Sequence, residues 1–270
     1  MDGNFRQINY RVMTDTLRLC ESDPILANAV QSSLSHEKIY WGNVPINAPV
    51  SKAEQSKPKI AVVSADTLSA AARYQGRKIA ILDFASGYTA GGSPFSAGTQ
   101  EECLCRSTTL YPCLLSKKQE FYQKHHDDSD AGLLDGYGND DAIFVPDVVV
   151  FKDSDSEPKL LSPDRWFKVD VIAIAAPHLR DSDVYSAERL NLAFRARIAR
   201  IFDIARAEKD KILILGAFGC GAFHNPPELV AGIMKEYAEQ SDAEIIDFAI
   251  MSWKNDDPNL LAFKKVIGGE

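Results

Sequence analysis

Residues 59–84, KIAVVSADTLSAAARYQGRKIAILDF, read as strand, helix, strand: two short apolar runs, KIAVVS, expected to be a buried strand, and KIAILDF, flank ADTLSAAARY, whose composition suits a helix. Strands joined through a helix run parallel, so this stretch predicts an α/β sheet. The programme continues through VDVIAIAAP (169–177), a buried strand stopped by proline, KILILGAF (211–218), and EIIDFAIMSW (244–253). AIFVPDVVVF (142–151) reads as a strand pair or as one strand broken at Pro146. Between them, Leu190, Phe194, Ile198, Ile201, Phe202 and Ala205 recur at helical steps, with Arg195, Arg197, Arg200 and Arg206 on other faces, expected to be solvated. PPELVAGIMKEYAEQ and PNLLAFKKVIG are the closing helices. QEECLCRSTTLYPCLL is expected to be helical up to Pro112, and residues 125–141, HHDDSDAGLLDGYGNDD, to be a solvated acidic loop.

Upstream of this core, Thr14 to Leu19 belong to an amphipathic helix. A polar connection carrying Trp41, Pro45, Pro49 and Pro58 follows. We therefore divide the chain into an N-terminal helical extension and lead-in, 1–58, and one α/β domain, 59–270. The chain has 270 residues and a formal charge of −8, from 30 basic and 38 acidic residues, with no basic patch, so binding to a nucleic-acid backbone is not expected. No apolar run reaches membrane-spanning length and the N-terminus lacks the pattern of a signal peptide, which points to the cytoplasm. An odd set of cysteines (Cys20, Cys103, Cys105, Cys113, Cys220) fits reduced thiols, and their spacing is not that of a zinc site.

Ligands of such sheets bind beyond the carboxyl ends of strands, which selects the loops after Val63, Phe84 and Leu215. The last, GAFGCGAFHNPP (216–227), sets Gly216, Gly219 and Gly221 between a strand and a helix, so that backbone amides could approach a phosphate; the plain alternative is a tight turn. In the first, Asp66 could cap the following helix or accept a hydrogen bond from an adenine amino group. The second, GGSPFSAGTQEE (91–102), ends in a capping box, Thr99 with Glu102, which leaves Glu101 and the preceding glycines unexplained.

IAVVSADTLSAA, ILDFASGYTAGGSPFSAGTQEECLCRSTTLYPCL, AIFVPDVVVF, IAIAAPH and LILGAFGCGAFHNPPELVA, in this order, resemble the microbial-type poly(ADP-ribose) glycohydrolases, a branch of the macrodomain fold. The resemblance runs from about Lys59 to Trp253 and implies a macrodomain-like architecture: a mostly parallel mixed sheet flanked by helices on both faces, with an N-terminal helical extension. It implies ADP-ribose or ADP-ribosylated protein or polymer as substrate, with no cofactor and no metal. Glu102 would be the general acid and then the base, and Glu101 would hold ribose hydroxyls. Ser86, Gly91, Gly92, Ser93 and Gln100 would line the catalytic loop. The backbone of Gly216 and of Gly219, Cys220, Gly221, Ala222 and Phe223 would hold the diphosphate, Asp66 would meet adenine, and Phe223 or Phe218 would pack on a ribose or base. Neighbouring helical residues project about 100° apart, so the two glutamates cannot oppose one another across a bond as paired glycosidase carboxylates do.

Ser93 replaces the third loop glycine of that family, and Asp83 and His178 stand where its members often carry asparagine. The leading expectation is a glycohydrolase of ADP-ribose linkages; the alternative is a module that binds ADP-ribose with weak or no hydrolysis.

Overall fold

The computed structural model describes residues 3–47, 57–179, 185–252 and 256–268; Pro49 and Trp253 lie outside them. Two helices, α1 (Gly3–Ser22) and α2 (Pro24–His36), precede a short strand β1 (Lys38–Tyr40). The core then alternates: β2 (Lys59–Val63), α3 (Thr67–Ala72), β3 (Ile79–Phe84), α4 (Gln100–Ser107) and α5 (Leu110–Ser116). A π-helical turn, Lys118–Gln123, leads into α6 (Lys124–Asp130). There follow β4 (Ala142–Val150), β5 (Phe167–Ile174), α7 (Ala187–Glu208), β6 (Ile212–Leu215), α8 (Pro227–Gln240), β7 (Ile245–Ala249) and α9 (Pro258–Ile267).

The strands form one mixed sheet in the order β1-β4-β5-β3-β6-β7-β2. β5, β3, β6, β7 and β2 are mutually parallel, and β4 runs antiparallel to both β5 and β1. The expected parallel sheet with helices on both faces is present. Along β3 the two-residue alternation separates the layers: Ala80 and Leu82 join the core under α7, α8 and α9, and Ile79 and Ile81 the core under α3, α4 and α5. Asp83 falls in the register of Ile79 and Ile81, on the α4 side.

Four local readings are corrected. KIAVVS is an edge strand paired only with β7, and of β2 only Val62 is fully buried, because the later strands β6 and β7 insert between β2 and β3. The 142–151 stretch is one continuous strand with a bulge: the register shifts between Val145 and Val148, Asp147 takes φ +57°, and its amide bonds Asp170 at 2.8 Å. The helix after QEE breaks at Thr108, which bridges to Val150, and not at Pro112, which sits in the first turn of α5 where a missing amide costs nothing. The region before Lys59 is more than a connection, since α2, capped by Asp23, packs on β4 and β1 extends the sheet edge.

The arginine stripe of α7 is only partly solvated. Leu190, Phe194, Ile198, Ile201, Phe202 and Ala205 are core as expected, and Arg195 pairs with Glu236 at the surface. Arg197 and Arg200, however, are buried. Arg197 donates to the carbonyls of Ala175 (2.7 Å), Ala193 (2.9 Å) and Tyr137, and burial pulls its guanidinium down to about 10. Arg200 bonds Asp140 and the carbonyls of Val44 and Gly42, tying the N-terminal segment to α7. Arg197→Ala would leave carbonyls at the end of β5 without donors and is expected to lower unfolding free energy by about 3 kcal/mol in urea denaturation, against about 0.5 kcal/mol or less for Arg195→Ala.

Candidate active site

The loops after β2, β3 and β6 open at the same end of the sheet, as the topology requires of strands that run parallel. Glu102 stands at the third position of α4, where the capping box places it. Its Oε2 accepts from the Thr99 amide at 2.8 Å and from the Thr99 hydroxyl, and its Oε1 accepts from the Ser93 amide at 3.1 Å. The carboxyl is thus held across both ends of the 93–99 loop and is almost wholly buried, at 6% exposure. Gln100 braces the strand end rather than facing outward: Oε1 accepts from the Phe84 amide, and Nε2 donates to Leu82 O at 2.7 Å and to the Thr67 hydroxyl.

The two glycines before Ser93 are required by conformation and by space. Gly91 and Gly92 have φ +67° and +64°, and a Cβ would lie 2.9 Å from Cys105 Sγ at the first and 2.5 Å from Glu102 Oε1 at the second. Ser93 has no left-handed φ and its side chain is exposed, so the loop geometry tolerates the replacement of a third glycine. Ser86 closes the loop start by accepting from the Tyr88 and Thr89 amides, while its own amide donates to Glu101 Oε2 at 2.8 Å.

Glu101, expected to hold sugar hydroxyls, is directed into the protein. Its Oε2 grips the loop, and its Oε1 is buried with no hydrogen-bond partner among the described residues. Beside it, both oxygens of the fully buried Asp83 and the Tyr122 hydroxyl also have no such partner. Burial, and then the charge of Glu102, push the Asp83 carboxyl up to about 8. Burial, and then Asp83, push Glu101 well above the usual carboxylate range against the opposing Ser86 and Gly91 amides. Packed carboxyls with no neighbouring cation share protons.

In the β6–α8 loop, Gly216 lets β6 approach β7, since a Cβ there would lie 2.6 Å from Ala249 O. Gly219 has φ +73°. The Cys220 amide is already taken by Ala217 O (3.0 Å), so it is not the phosphate donor expected; burial also pushes its thiol up to about 12. The amides of Gly219, Gly221, Ala222 and Phe223 donate to no acceptor among the described residues. Phe218 is a core residue between Phe84 and Phe194 and cannot reach a sugar, whereas Phe223 is half-buried, edge-on to His178 at 4.6 Å. Asp66 caps α3 through the Ser69 amide at 2.9 Å and remains half-exposed.

Sequence reasoning missed the side chains that hold these loops. Asn225 donates to Pro177 O (2.7 Å) and Gly219 O (3.0 Å), clamping the glycine loop to the end of β5. His125, assigned to a solvated loop, is buried: Nδ1 donates to Gly87 O at 2.8 Å and Nε2 lies 3.0 Å from Asp141. Although burial opposes it, the His125 ring and the Gly42 amide hold the Asp141 carboxyl below its usual range. Arg106 donates to the carbonyls of Pro94 (2.8 Å) and Ala97 (2.7 Å). A polar residue among apolar neighbours in HNPP or CLCRST was the only signal available.

The Asp83 shift has a measurable consequence. Its folded value of about 8 lies above the ordinary 3.8, so the native state holds the proton more tightly; this contribution to stability is full below pH 4 and is lost as pH rises through 8. Asp83→Asn removes that dependence and is expected to stabilise the protein relative to wild type at pH 8 by about 2 kcal/mol or more, with the advantage shrinking toward pH 5, as followed by chemical denaturation across that range.

Comparison with known proteins places the geometry in a family. No curated protein matches the sequence. Among solved structures, poly(ADP-ribose) glycohydrolase (PARG) from Thermomonospora curvata is similar, with 26% identity and a TM-score of 0.84 over 95% of this chain and 98% of that one. The same protein bound to the inhibitor ADP-HPD gives 27% and 0.82, again over 95% and 98%. The Deinococcus radiodurans PARG in complex with ADP-ribose gives 27% and 0.77 over 88% and 96%. The model of the microbial-type PARG catalytic domain matches residues 19–153, half of the chain and the whole of the glycine loop, QEE and the supporting His125 and Asp141. The chain belongs to the microbial-type PARG catalytic-domain family.

Proposed function

We propose that this protein is a poly(ADP-ribose) glycohydrolase in which Glu102 alone carries both proton transfers. The observation that supports it most is the hold on the Glu102 carboxyl by the amides of Ser93 and Thr99 and the Thr99 hydroxyl. In the first step the protonated Glu102 gives its proton to the leaving ribose oxygen as the glycosidic C–O bond breaks and positive charge develops at the anomeric carbon. The three donors then stabilise the carboxylate that remains. In the second step that carboxylate takes a proton from water as the water oxygen bonds to the anomeric carbon, which restores the acid. Glu101 and Gln100 act behind the reaction, by fixing Ser86 and the end of β3.

The substrate diphosphate would lie on the free amides of Gly219, Gly221, Ala222 and Phe223, uncharged donors that neither attract nor release protons. Adenine would meet the Asp66 oxygen not engaged by Ser69, with Phe223 against a ribose. That similar bacterial enzymes bind ADP-ribose and the inhibitor ADP-HPD supports a ligand of this class. We assign it to the cytoplasm, where its five free cysteines would stay reduced; no described helix is long and apolar enough to cross a membrane.

Glu102→Gln keeps an acceptor for only one of the Ser93 and Thr99 amides, sets an NH2 group against the other, and cannot transfer a proton. It is expected to lower kcat on poly(ADP-ribose) by about 10²–10⁴-fold while calorimetry finds ADP-ribose affinity within about twofold of wild type; turnover undiminished in this variant would refute the assignment. Gly219→Ala would place a Cβ 2.5 Å from the Ala176 Cβ at a left-handed φ, and calorimetry is expected to show ADP-ribose affinity reduced by about tenfold or more.

A further inference from the structure

The 93–99 loop that grips Glu102 at both ends is itself held in the middle, from a part of α1 that precedes the residues matched by the family model. Asn9 of α1 is buried at 1% exposure, and its Nδ2 donates to Ala97 O at 2.9 Å and to Ser96 O at 3.3 Å. The amides of those two residues in turn donate to Ser93 O, at 2.8 and 3.0 Å, and the Ser93 amide donates to Glu102. Hydrogen bonds therefore run unbroken from α1 to the carboxyl. Arg106 shares the Ala97 carbonyl from the other side. The flanking residues of α1 follow the same path: the Phe5 ring lies where a Cβ on Gly98 would stand, and Tyr10 meets Phe95 at 5.7 Å. α1 is docked independently of these contacts, through the buried Val12, Met13 and Thr16 and through Lys152, whose Nζ bonds Thr16 at 2.8 Å and Asp15 at 3.0 Å.

We propose that Asn9 is a positioning residue for the hydrolysis assigned above: its amide sets the loop so that the Ser93 and Thr99 donors stay aimed at Glu102, and it acts on turnover without acting on nucleotide binding. The inference rests on the role given to Glu102. The nucleotide amides are on the β6–α8 loop, which Asn9 does not touch, so the two effects are separable. A residue that orients a catalytic group by a fraction of an ångström affects rate far more than affinity.

The test uses the full chain carrying Asn9→Ala, and separately Asn9→Asp, which keeps the side-chain shape and turns acceptor oxygens toward the two carbonyls. Arg11→Ala, also on α1, which removes an exposed ion pair with Glu157 of the segment between β4 and β5, is the control. Expected are a kcat on poly(ADP-ribose) lower by about tenfold or more, an ADP-ribose Kd within about twofold, and faster hydrogen exchange at the Ser93 and Thr99 amides with β3 and α7 unchanged, against wild-type values throughout for the control. Unchanged kcat and loop exchange in both Asn9 variants would overturn the proposal. So would a loss of kcat, affinity and protection together across the chain, which would make Asn9 a simple fold determinant. Wild-type protein inert on ADP-ribosylated substrates would remove the Glu102 assignment instead, and Asn9 would lose its catalytic meaning while the exchange data still reported whether it holds the loop.

Discussion

The Glu102 carboxyl, accepting from the Ser93 amide on one oxygen and from the Thr99 amide and hydroxyl on the other, closes the loop between those residues onto the first turn of α4. Its neighbourhood follows from that closure. Gly92 must lack a Cβ because Glu102 Oε1 would lie 2.5 Å from it, and Gly91 must turn left-handed to bring the chain there. Gln100 and Glu101, one and two positions into the helix, tie the same turn to the end of β3 and to the loop start at Ser86. A loop otherwise too rich in glycine and serine to hold a shape thereby acquires one from side chains beneath it.

With Glu102 in the proposed role, capping and catalysis would be one arrangement. A capping glutamate is ordinarily exposed and contributes about 1 kcal/mol to its helix. Here the same contacts are almost wholly buried under a loop, where donors fixed in advance would favour the charge that appears once the proton has left. The N-terminal end of α4 adds its partial positive charge at the same place. The cost is carried by the layer below, where Asp83, Glu101 and Tyr122 are buried with unpaired oxygens and the protein accepts a pH-dependent stability.

The fold was legible in the apolar runs, and the places of Glu102, Gly91, Gly92 and Gly219 in their residue types, because local period and left-handed turns are written in adjacent residues. Strand order was not: nothing in KIAVVS or KIAILDF says that β6 and β7 will come between them. Arg197 looks like Arg195 on a helical projection and differs only because the carbonyls of Ala175 and Tyr137 arrive beside it from other parts of the chain. His125 lies in an acidic stretch that composition marks as solvated, yet the Gly87 carbonyl and Asp141 close over it. Phe218 and Cys220 were misassigned for a related reason. Which ring faces the core and which amide the turn itself consumes depend on the path of the backbone.

On the proposed reading, a chain of charge −8 would accept a dianionic diphosphate without a basic residue in the loop that meets it. Residues 216–223 carry no ionisable acid, and their unused amides present partial positive charge at short range. Under the 93–99 loop, burial raises Asp83 to about 8 and Glu101 well above the usual carboxylate range, so these carboxyl groups carry less negative charge than their number implies. Had those acids been exposed and ionised they would repel the phosphates and stabilise cations indiscriminately. Among these acids Glu102 has donors on both of its oxygens, whereas Glu101 has one on Oε2 alone and Asp83 has none among the described residues.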